Sequence, residues 1–371
     1  MPVHEASAGE LAGWDDLAVR SPNGSVHQSR AWAAYRAAFG WGPRFLVTDD
    51  GAPVLALARP WPLIGGNGVY ISRGPLPEAD APVVLARLEA VTGWAADHGS
   101  SVVSSDSEMS AGSGYAELLA AAGYRQIEEI QPSRHRLAVD LTALDDDTEL
   151  LASFSATTRN MIRAAQRSDL STVILGPSEV SSPTEVMGTG GSEGAQLTDL
   201  GSRLPVLYGL MRATADRRRF GLASAERFFD WSKRAFVDGH LVYIAVHEPG
   251  GELVAGATFY RHGRRWTYAN AADDPRFRRA YPGAVRLVVW VAMTRALAEG
   301  RAEFDLGGVD VPGARRRPLA GEPAHGMLTF KESFGARWIE LAGAHEKVLS
   351  PVRYALGRVT TRLGAAISRA P

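Results

Sequence analysis

A lysine stands out in the segment TFKESFG, which runs from Thr329 to Gly335. The chain has 40 lysines and arginines, but only Lys233, Lys331 and Lys347 are lysines. Lysine carries a compact ammonium on a flexible stem, whereas arginine carries a planar fork of donors. Lys331 is therefore either a chance residue on a solvated helix face or part of a site that needs a point charge.

Other site chemistries lack their motifs. The chain has no cysteine, which excludes disulfides, thiolate nucleophiles and cysteine-based zinc sites. It contains neither H-E-x-x-H nor G-x-S-x-G, and its nine histidines are scattered. The segment GTGGSEG lacks the lysine of a phosphate-binding P-loop. We therefore expect no metal site and no hydrolase triad.

Composition indicates a globular protein with two domains. The chain has 371 residues, is 45% hydrophobic and has a mean hydropathy of −0.11. Its first twenty residues are acidic and lack the apolar stretch of a signal peptide. Its longest apolar run, LVVWVAM, is too short to span a bilayer. These features predict a cytoplasmic protein.

The charge is unevenly distributed along the chain. Residues 1–150 carry 10 basic and 20 acidic side chains, and residues 151–371 carry 30 basic and 21 acidic side chains. A basic second part favours an anionic partner such as tRNA, a nucleotide phosphate or a lipid headgroup. Ordinary charge segregation explains the same numbers, and composition does not separate the two.

One pattern of elements occurs twice. Three strand-like segments joined by tight turns fill 44–74 and again 241–271. Each set is followed by a helical pattern ending at Gly99 or Gly300, then by a short strand carrying Asp106 or Asp305. Another helix and a final strand, GYRQIE or GARWIE, complete each copy. The repeat predicts an α/β (α+β) protein of two tandem GNAT-like units, each a mixed twisted sheet flanked by helices.

The repeat sets the expected domain limits. We place the first unit at 1–148 and the second at 149–349, with a basic helix near its start that bridges the units. Residues 176–203 are rich in Gly, Ser and Thr and are predicted to be a mobile loop. Two helices joined near Phe220 follow this loop.

Residues 350–371 are predicted to form a basic amphipathic helix. Its apolar residues recur every three or four positions, at Val352, Leu356, Val359, Leu363 and Ile367. The stripe could lie on an anionic inner-membrane surface or pack on the protein body. We favour packing.

Six short motifs in order resemble the FemABX family of aminoacyl-tRNA-dependent peptidyltransferases. They are HQSRAWAAYRAAFGW, YISRGP, RATADRRRF, WTYANAAD, FDLGGVD and TFKESFG, and the resemblance spans roughly residues 25 to 355. It implies a pair of GNAT-like subdomains, here without the coiled-coil arm of some members. It also implies transfer of an amino acid from aminoacyl-tRNA to an amine of a peptidoglycan precursor stem peptide, which forms the interpeptide bridge.

The resemblance also implies roles for individual residues. Phe330 and Lys331 match the family's Phe-Lys pair, which puts Lys331 at the oxyanion or at the leaving ribose oxygen. Asp106 lies near a family acid that could accept the proton of the attacking amine. Asp305, at the matching place in the second unit, is expected to hold the loop that follows it.

Other matched residues are expected to bind the acceptor, whose diphosphate calls for cations. Trp32 and Arg36 match a QS-x-x-W-like motif in which a compared member has lysine where Arg36 stands. Arg217 matches a T-x-x-R motif, although Arg218 and Arg219 follow it directly. Tyr268 and Arg73 match cleft positions, with a core tyrosine and a simple ion pair as the alternatives.

Three alternative functions remain open on the sequence alone. A GNAT-type acyl-CoA N-acyltransferase needs an R/Q-x-x-G-x-G/A loop for the pyrophosphate, and RAYPGA has the wrong spacing and a proline. The second alternative is a Fem-like amide ligase for a small-molecule natural product. The third is an inactive module that binds tRNA or a membrane. The expected partners are aminoacyl-tRNA as co-substrate and a UDP-linked or lipid-linked muropeptide, with no cofactor and peripheral contact with the inner membrane face.

Overall fold

The computed structural model describes residues 2–131, 134–177, 193–218, 220–309 and 316–367. Most of its strands fall in the two predicted meanders and directly after them. The strands are β1 (Val3–Glu5), β2 (Gly42–Thr48), β3 (Pro53–Pro60), β4 (Asn67–Ile71), β5 (Ser100–Ser105), β6 (Arg125–Gln126), β7 (His135–Asp140), β8 (Ser171–Leu175), β9 (Leu241–His247), β10 (Leu253–His262), β11 (Arg265–Asp273), β12 (Glu303–Asp305), β13 (Arg337–Glu340) and β14 (His345–Val348).

In the described part of the chain, these strands form two seven-stranded mixed sheets. Their orders are β1-β2-β3-β4-β5-β14-β6 and β13-β7-β12-β11-β10-β9-β8. Each sheet has a meander of antiparallel strands followed by a parallel pair, β4 with β5 and β11 with β12. A parallel pair needs a crossover helix, which the chain supplies both times. The predicted duplication and fold class are confirmed.

The helices flank the sheets. They are α1 (Ala8–Ala12), α2 (Arg30–Ala38), α3 (Ala81–Asp97), α4 (Tyr115–Ala121), α5 (Asp147–Ser153), α6 (Ala156–Gln166), α7 (Glu193–Arg218), α8 (Ala225–Val237), α9 (Ala284–Ala298), α10 (His325–Glu332) and α11 (Pro351–Ile367). The crossover helices α3 and α9 bury their apolar residues in the cores of their units. Gly99 and Gly300 follow them with φ of +75° and +66°, a conformation that glycine adopts without strain.

The chain divides into two compact units at places other than those predicted. The first unit comprises 1–135 and 339–371, and the second comprises 136–338. The predicted limits of 148/149 and 349/350 fail because the strand after each repeat joins the other sheet. β7 pairs with β12 in the second sheet, and β14 lies between β5 and β6 in the first.

Two predictions for the segment between the repeats are also wrong in part. Residues 193–203 form the first turns of α7 and are not a loop, because the helix begins inside the Gly- and Ser-rich stretch. The rest of that predicted loop, 178–192, lies outside the described residues. The basic helix α6 belongs to the second unit and packs on α9, so it does not serve as a bridge.

The helix α11 is present, but its apolar stripe does not pack on the body. Val352, Leu356 and Val359 are 71%, 50% and 53% exposed. The opposite side docks instead, because Gly357 has no side chain to hold off the ring of Trp61, and an added Cβ would lie 2.3 Å from that ring. Side chains from 362 onward lie outside the described residues. No described helix is both long and apolar enough to cross a membrane.

Candidate functional site

Lys331 lies on α10 and is buried, with 5% of its surface exposed. Its Nζ donates a hydrogen bond to the carbonyl oxygen of Gly308 at 3.0 Å. Burial lowers its pKa to about 8, although the nearby Asp305 carboxylate favours the charged form. The solvated-face alternative for Lys331 is therefore excluded.

The loop after β12 forms the wall beside this ammonium. Asp305 accepts a hydrogen bond from the Gly307 N–H at 2.7 Å, which confirms its predicted role in holding the loop. Gly307 has φ of +73°, and a Cβ there would lie 3.6 Å from the Nζ of Lys331. β12 ends at Asp305 while its partner β11 continues to Asp273, so the parallel pair ends beside the ammonium.

Two predicted neighbours of Lys331 lie in the same region. The Phe330 ring is partly buried, 5.2 Å from the Phe334 ring, and the Arg286 guanidinium stacks on it at 5.1 Å. The Tyr268 ring packs on the Phe259 ring at 5.5 Å, and burial raises the pKa of Tyr268. The Tyr268 backbone carbonyl and the Lys331 ammonium both lie beside Gly307, but the Tyr268 ring packs on the core, as the alternative for this residue stated.

Arg217 is placed differently. It lies exposed in the last turn of α7, together with Arg218. Arg219, the third arginine of that run, lies outside the described residues. Exposure leaves Arg217 available to a partner, while Lys331 is enclosed by its own unit.

In the first unit, Asp106 follows β5 and is buried, with 1% of its surface exposed. One carboxylate oxygen accepts a hydrogen bond from the Arg73 backbone N–H at 2.6 Å, and the other accepts one from the Tyr70 hydroxyl at 2.8 Å. Burial raises the pKa of Asp106, partly offset by Arg73. Both oxygens are therefore engaged inside the unit.

Arg73 pairs with neighbours. Its guanidinium lies 4.0 Å from the Asp106 carboxylate and 3.8 Å from that of Glu108. Its backbone has φ of +49°, a conformation uncommon for a residue with a side chain, and the bond from its N–H to Asp106 helps to hold it. The YISRGP motif therefore forms a turn fixed by Asp106.

Trp32 and Arg36 lie on α2, whose N-cap Ser29 accepts a hydrogen bond from the Trp32 N–H at 2.9 Å. The Arg36 guanidinium stacks on the rings of Trp32 and Trp41, at 5.3 and 4.2 Å. Arg59 stacks on Trp41 as well, at 5.3 Å. This arrangement, Trp41 with Arg36 and Arg59, is called the arginine–tryptophan cluster below.

Trp41 and Arg59 were not among the predicted site residues. Trp41 closes the motif HQSRAWAAYRAAFGW, so the motif itself contained that signal. Arg59 lies at the end of β3, and only the pairing of β2 with β3 brings it near. The Trp41 ring also lies 6.3 Å from the ring of Tyr70, the hydroxyl partner of Asp106, which links the cluster to the YISRGP turn.

The helix starts that would hold a pyrophosphate in an acyl-CoA enzyme are poorly suited to it. Gly283 precedes α9, and a Cβ added there would lie 2.2 Å from the carbonyl oxygen of Met161 on α6. A backbone acceptor thus covers this helix start. In the first unit, α3 follows Asp80 and has Pro82 in its first turn. Asp80 places a carboxylate at this helix start, and Pro82 has no backbone N–H to donate.

Comparison with known proteins gives a sequence match in one region and a structural match over the chain. Residues 194–316 match the family model described as an acetyltransferase (GNAT) domain. A search of curated proteins found no match.

Two solved structures are similar over nearly their whole length. FemX has a TM-score of 0.74 at 19% identity, covering 96% of this chain and 99% of its own. A conserved protein of unknown function from Bacteroides thetaiotaomicron has a TM-score of 0.56 at 12% identity, covering 93% and 98%. The chain therefore has the Fem-like fold that its motifs implied, with two GNAT-like units in one polypeptide, and the matched acetyltransferase (GNAT) model covers most of the second unit.

Proposed function

We propose that this protein is an aminoacyltransferase that moves an amino acid from aminoacyl-tRNA to an amine of a peptidoglycan precursor stem peptide. The observation that carries the proposal is the buried ammonium of Lys331, enclosed by α10 and the Asp305 loop at the end of the β11–β12 pair. Within the described ranges, no carboxylate forms an ion pair with Lys331; a buried cation without such a partner costs free energy, and such costs are concentrated at functional sites.

The reaction explains why a cation lies there. The acceptor amine attacks the ester carbonyl carbon, a tetrahedral oxyanion forms, and the bond to the ribose oxygen then breaks. The Lys331 ammonium has three donors, and the Gly308 carbonyl accepts from one of them. Another can stabilise the oxyanion or give its proton to the departing ribose oxygen, after which the neutral Lys331 amine takes up the proton that the attacking nitrogen loses. A pKa of about 8 keeps Lys331 mostly protonated near neutral pH while allowing proton transfer.

The arginine–tryptophan cluster suits the diphosphate of a nucleotide-linked or lipid-linked acceptor. The guanidiniums of Arg36 and Arg59 both lie against the Trp41 indole, so two positive charges stand close together, and charge of this sign attracts a diphosphate. Arg73 and Asp106 belong to the turn beside it, where the bonds of Asp106 favour a positioning role for that carboxylate over proton transfer. Arg217, exposed on α7, is a further candidate for an anionic substrate.

The same geometry disfavours acyl-CoA as the donor. The Met161 carbonyl covers the start of α9, and Asp80 and Pro82 occupy the start of α3. At the start of α9, an anionic pyrophosphate would meet the carbonyl oxygen of Met161. At the start of α3, it would meet the Asp80 carboxylate and would lack the N–H that Pro82 cannot supply.

The test is a mass spectrum of three reactions. The purified protein is incubated with a muropeptide acceptor, UDP-linked or lipid-linked, and with a total aminoacyl-tRNA pool, with acetyl-CoA, or with neither. We expect the acceptor to gain the mass of one aminoacyl residue in the first reaction alone. Lys331→Met should abolish this gain, while Lys233→Met, which replaces an exposed lysine, should keep it.

Two outcomes would overturn the proposal. An acetyl mass gain would assign the protein to the acyl-CoA enzymes. Full aminoacyl transfer by Lys331→Met would remove Lys331 from the mechanism. If tRNA is deacylated in the presence of a small amine but not of muropeptide, the donor stands and the acceptor is a small molecule.

A further inference from the structure

The exposed face of α11 is apolar and points away from the unit that carries it. At about 100° per residue, Val352, Leu356 and Val359 fall within about 60° of one another on the helix. All three are at least half exposed. Gly357 and Tyr354 lie on the opposite side, where both are near the Trp61 ring. We call the three exposed residues the α11 stripe.

The charges around the α11 stripe have one sign. The helix, Pro351–Ile367, contains three arginines and neither aspartate nor glutamate. The described ones, Arg353 and Arg358, are exposed and lie on either side of the stripe by helical geometry. An apolar stripe between flanking arginines is the pattern of a helix that lies in the plane of an anionic membrane surface.

A cleft lined by two arginines lies at the base of the same helix. It has a volume of about 470 Å³, and Arg44, His98 and Arg353 contribute to its lining. Among its described lining residues none is acidic, although Arg44 forms a loose, exposed ion pair at 3.9 Å with Glu5, which does not line the cleft. Its size and charge suit a phosphate-bearing headgroup.

A second exposed apolar residue lies on the loop that forms another wall of this cleft. Pro60 and Gly66 line the cleft, and Leu63 between them is 98% exposed. Trp61 of the same loop is the residue on which α11 docks. The cleft is therefore bordered by two segments that each expose aliphatic side chains.

We propose that the α11 stripe and this cleft form a docking surface for an anionic phospholipid membrane. Aliphatic side chains of the stripe enter the interface, and Arg353 and Arg44 contact headgroup phosphates. RNA would use the arginines but not the stripe, and a second copy of this basic surface would repel it. The inference stands on its own, whatever reaction the protein catalyses.

The test is flotation of the full chain with vesicles of phosphatidylcholine, with or without phosphatidylglycerol. We expect binding to the phosphatidylglycerol vesicles and loss of that binding at high salt. Leu356→Asp should weaken it about tenfold or more, because it removes an aliphatic side chain that enters the membrane interface and adds a charge that the anionic surface repels. The double variant Arg44→Gln, Arg353→Gln should weaken it by a similar factor, at about fivefold per arginine.

Matched control variants distinguish binding through this surface from nonspecific binding to vesicles. Leu319→Ser replaces an aliphatic that is 63% exposed in the second unit, and Arg279→Gln replaces an exposed arginine there; neither should change binding. Unchanged melting temperatures would show that all variants are folded.

Three results would overturn the proposal. The first is equal binding to both vesicle types or to neither. The second is retention of binding by Leu356→Asp. The third is a dimer in light scattering that Leu356→Asp converts to a monomer, which would assign the stripe to a second copy.

Discussion

At the scale of single residues, the environment of Lys331 has a consequence for stability. Its pKa is about 8 in the folded protein and near 10.5 when unfolded, so the unfolded chain binds more protons between these values. Stability must therefore rise with pH through this window, by up to about 3 kcal/mol from this group.

We predict that the free energy of unfolding of the wild type rises relative to Lys331→Met between about pH 7 and about pH 10. Urea denaturation of both proteins at the two pH values measures this, and the difference isolates Lys331 from other titrating groups. Lys233→Met, at an exposed lysine, should show no such trend. A constant difference between wild type and Lys331→Met would mean that the ammonium is not buried in solution.

The pH dependence of the proposed reaction follows from the same group. If Lys331 acts as a cation, kcat/KM falls as pH passes about 8, because the ammonium loses its proton. Lys331→Arg should not restore activity, because the planar fork does not fit the enclosed space beside Gly307. A rate that rises through pH 8 would instead make Lys331 the base.

Arg36 allows a test of the acceptor. We predict that Arg36→Gln raises KM for a UDP-linked acceptor by about tenfold, since a charged hydrogen bond contributes about 1.5–3 kcal/mol, and leaves kcat nearly unchanged. Arg30→Gln, an exposed position on the same helix, is the control. An equal effect on an acceptor lacking phosphate would argue against diphosphate binding by the arginine–tryptophan cluster.

At the scale of elements, the contact of α6 with the start of α9 can be tested at Gly283. A Cβ there would meet the Met161 carbonyl at 2.2 Å, so backbone must move. We predict that Gly283→Ala destabilises the protein by about 2–3 kcal/mol. Calorimetry should show a lowered melting temperature.

Gly209 in α7 provides the matched control for that experiment. It lies exposed in the helix, and no other group is within 4 Å of an added Cβ. Gly209→Ala should therefore stabilise the protein by about 0.5–1 kcal/mol, because alanine is the better helix former. Equal effects at the two glycines would mean that α6 does not cover the start of α9.

Local patterns predicted the repeated elements well and non-local pairing poorly. The meanders, α3, α9 and their terminal glycines follow from periodicity and turn residues that lie close together in sequence. β14 has four residues of mixed polarity, HEKV, and its partner β5 lies some 240 positions earlier, so no local signal shows the pairing. The start of α7 was wrongly predicted as a loop, because glycine and serine usually favour loops.

The candidate site divides in the same way. The motif TFKESFG was enough to single out Lys331, and FDLGGVD was enough to predict that Asp305 holds its loop. Only the Arg36 part of the arginine–tryptophan cluster could be predicted from the sequence, because Arg59 reaches Trp41 through strand pairing. The bonds that occupy both oxygens of Asp106 also depend on tertiary structure.

At the scale of the whole molecule, the exchanged strands make the first unit depend on the far end of the chain. β14 fills the place between β5 and β6, so a fragment of 1–148 lacks an inner strand of its sheet. We predict that this fragment shows no cooperative thermal transition by circular dichroism. Adding a peptide of 336–371 should restore the transition, whereas a peptide of the same composition in scrambled order should not. A cooperative transition of the fragment alone would show that β14 is dispensable.

This dependence also bears on synthesis at the ribosome. β5 is complete at residue 105, but β14 ends at residue 348, so the sheet of the first unit stays open while the whole second unit is translated. At about 5–20 residues per second, that interval lasts roughly 10–50 seconds. During this time the edges of β5 and β6 have unpaired backbone groups that can associate with other nascent chains. Chaperone demand should therefore be greatest before the last strand emerges, and faster translation of residues 106–348 should improve the yield of folded protein.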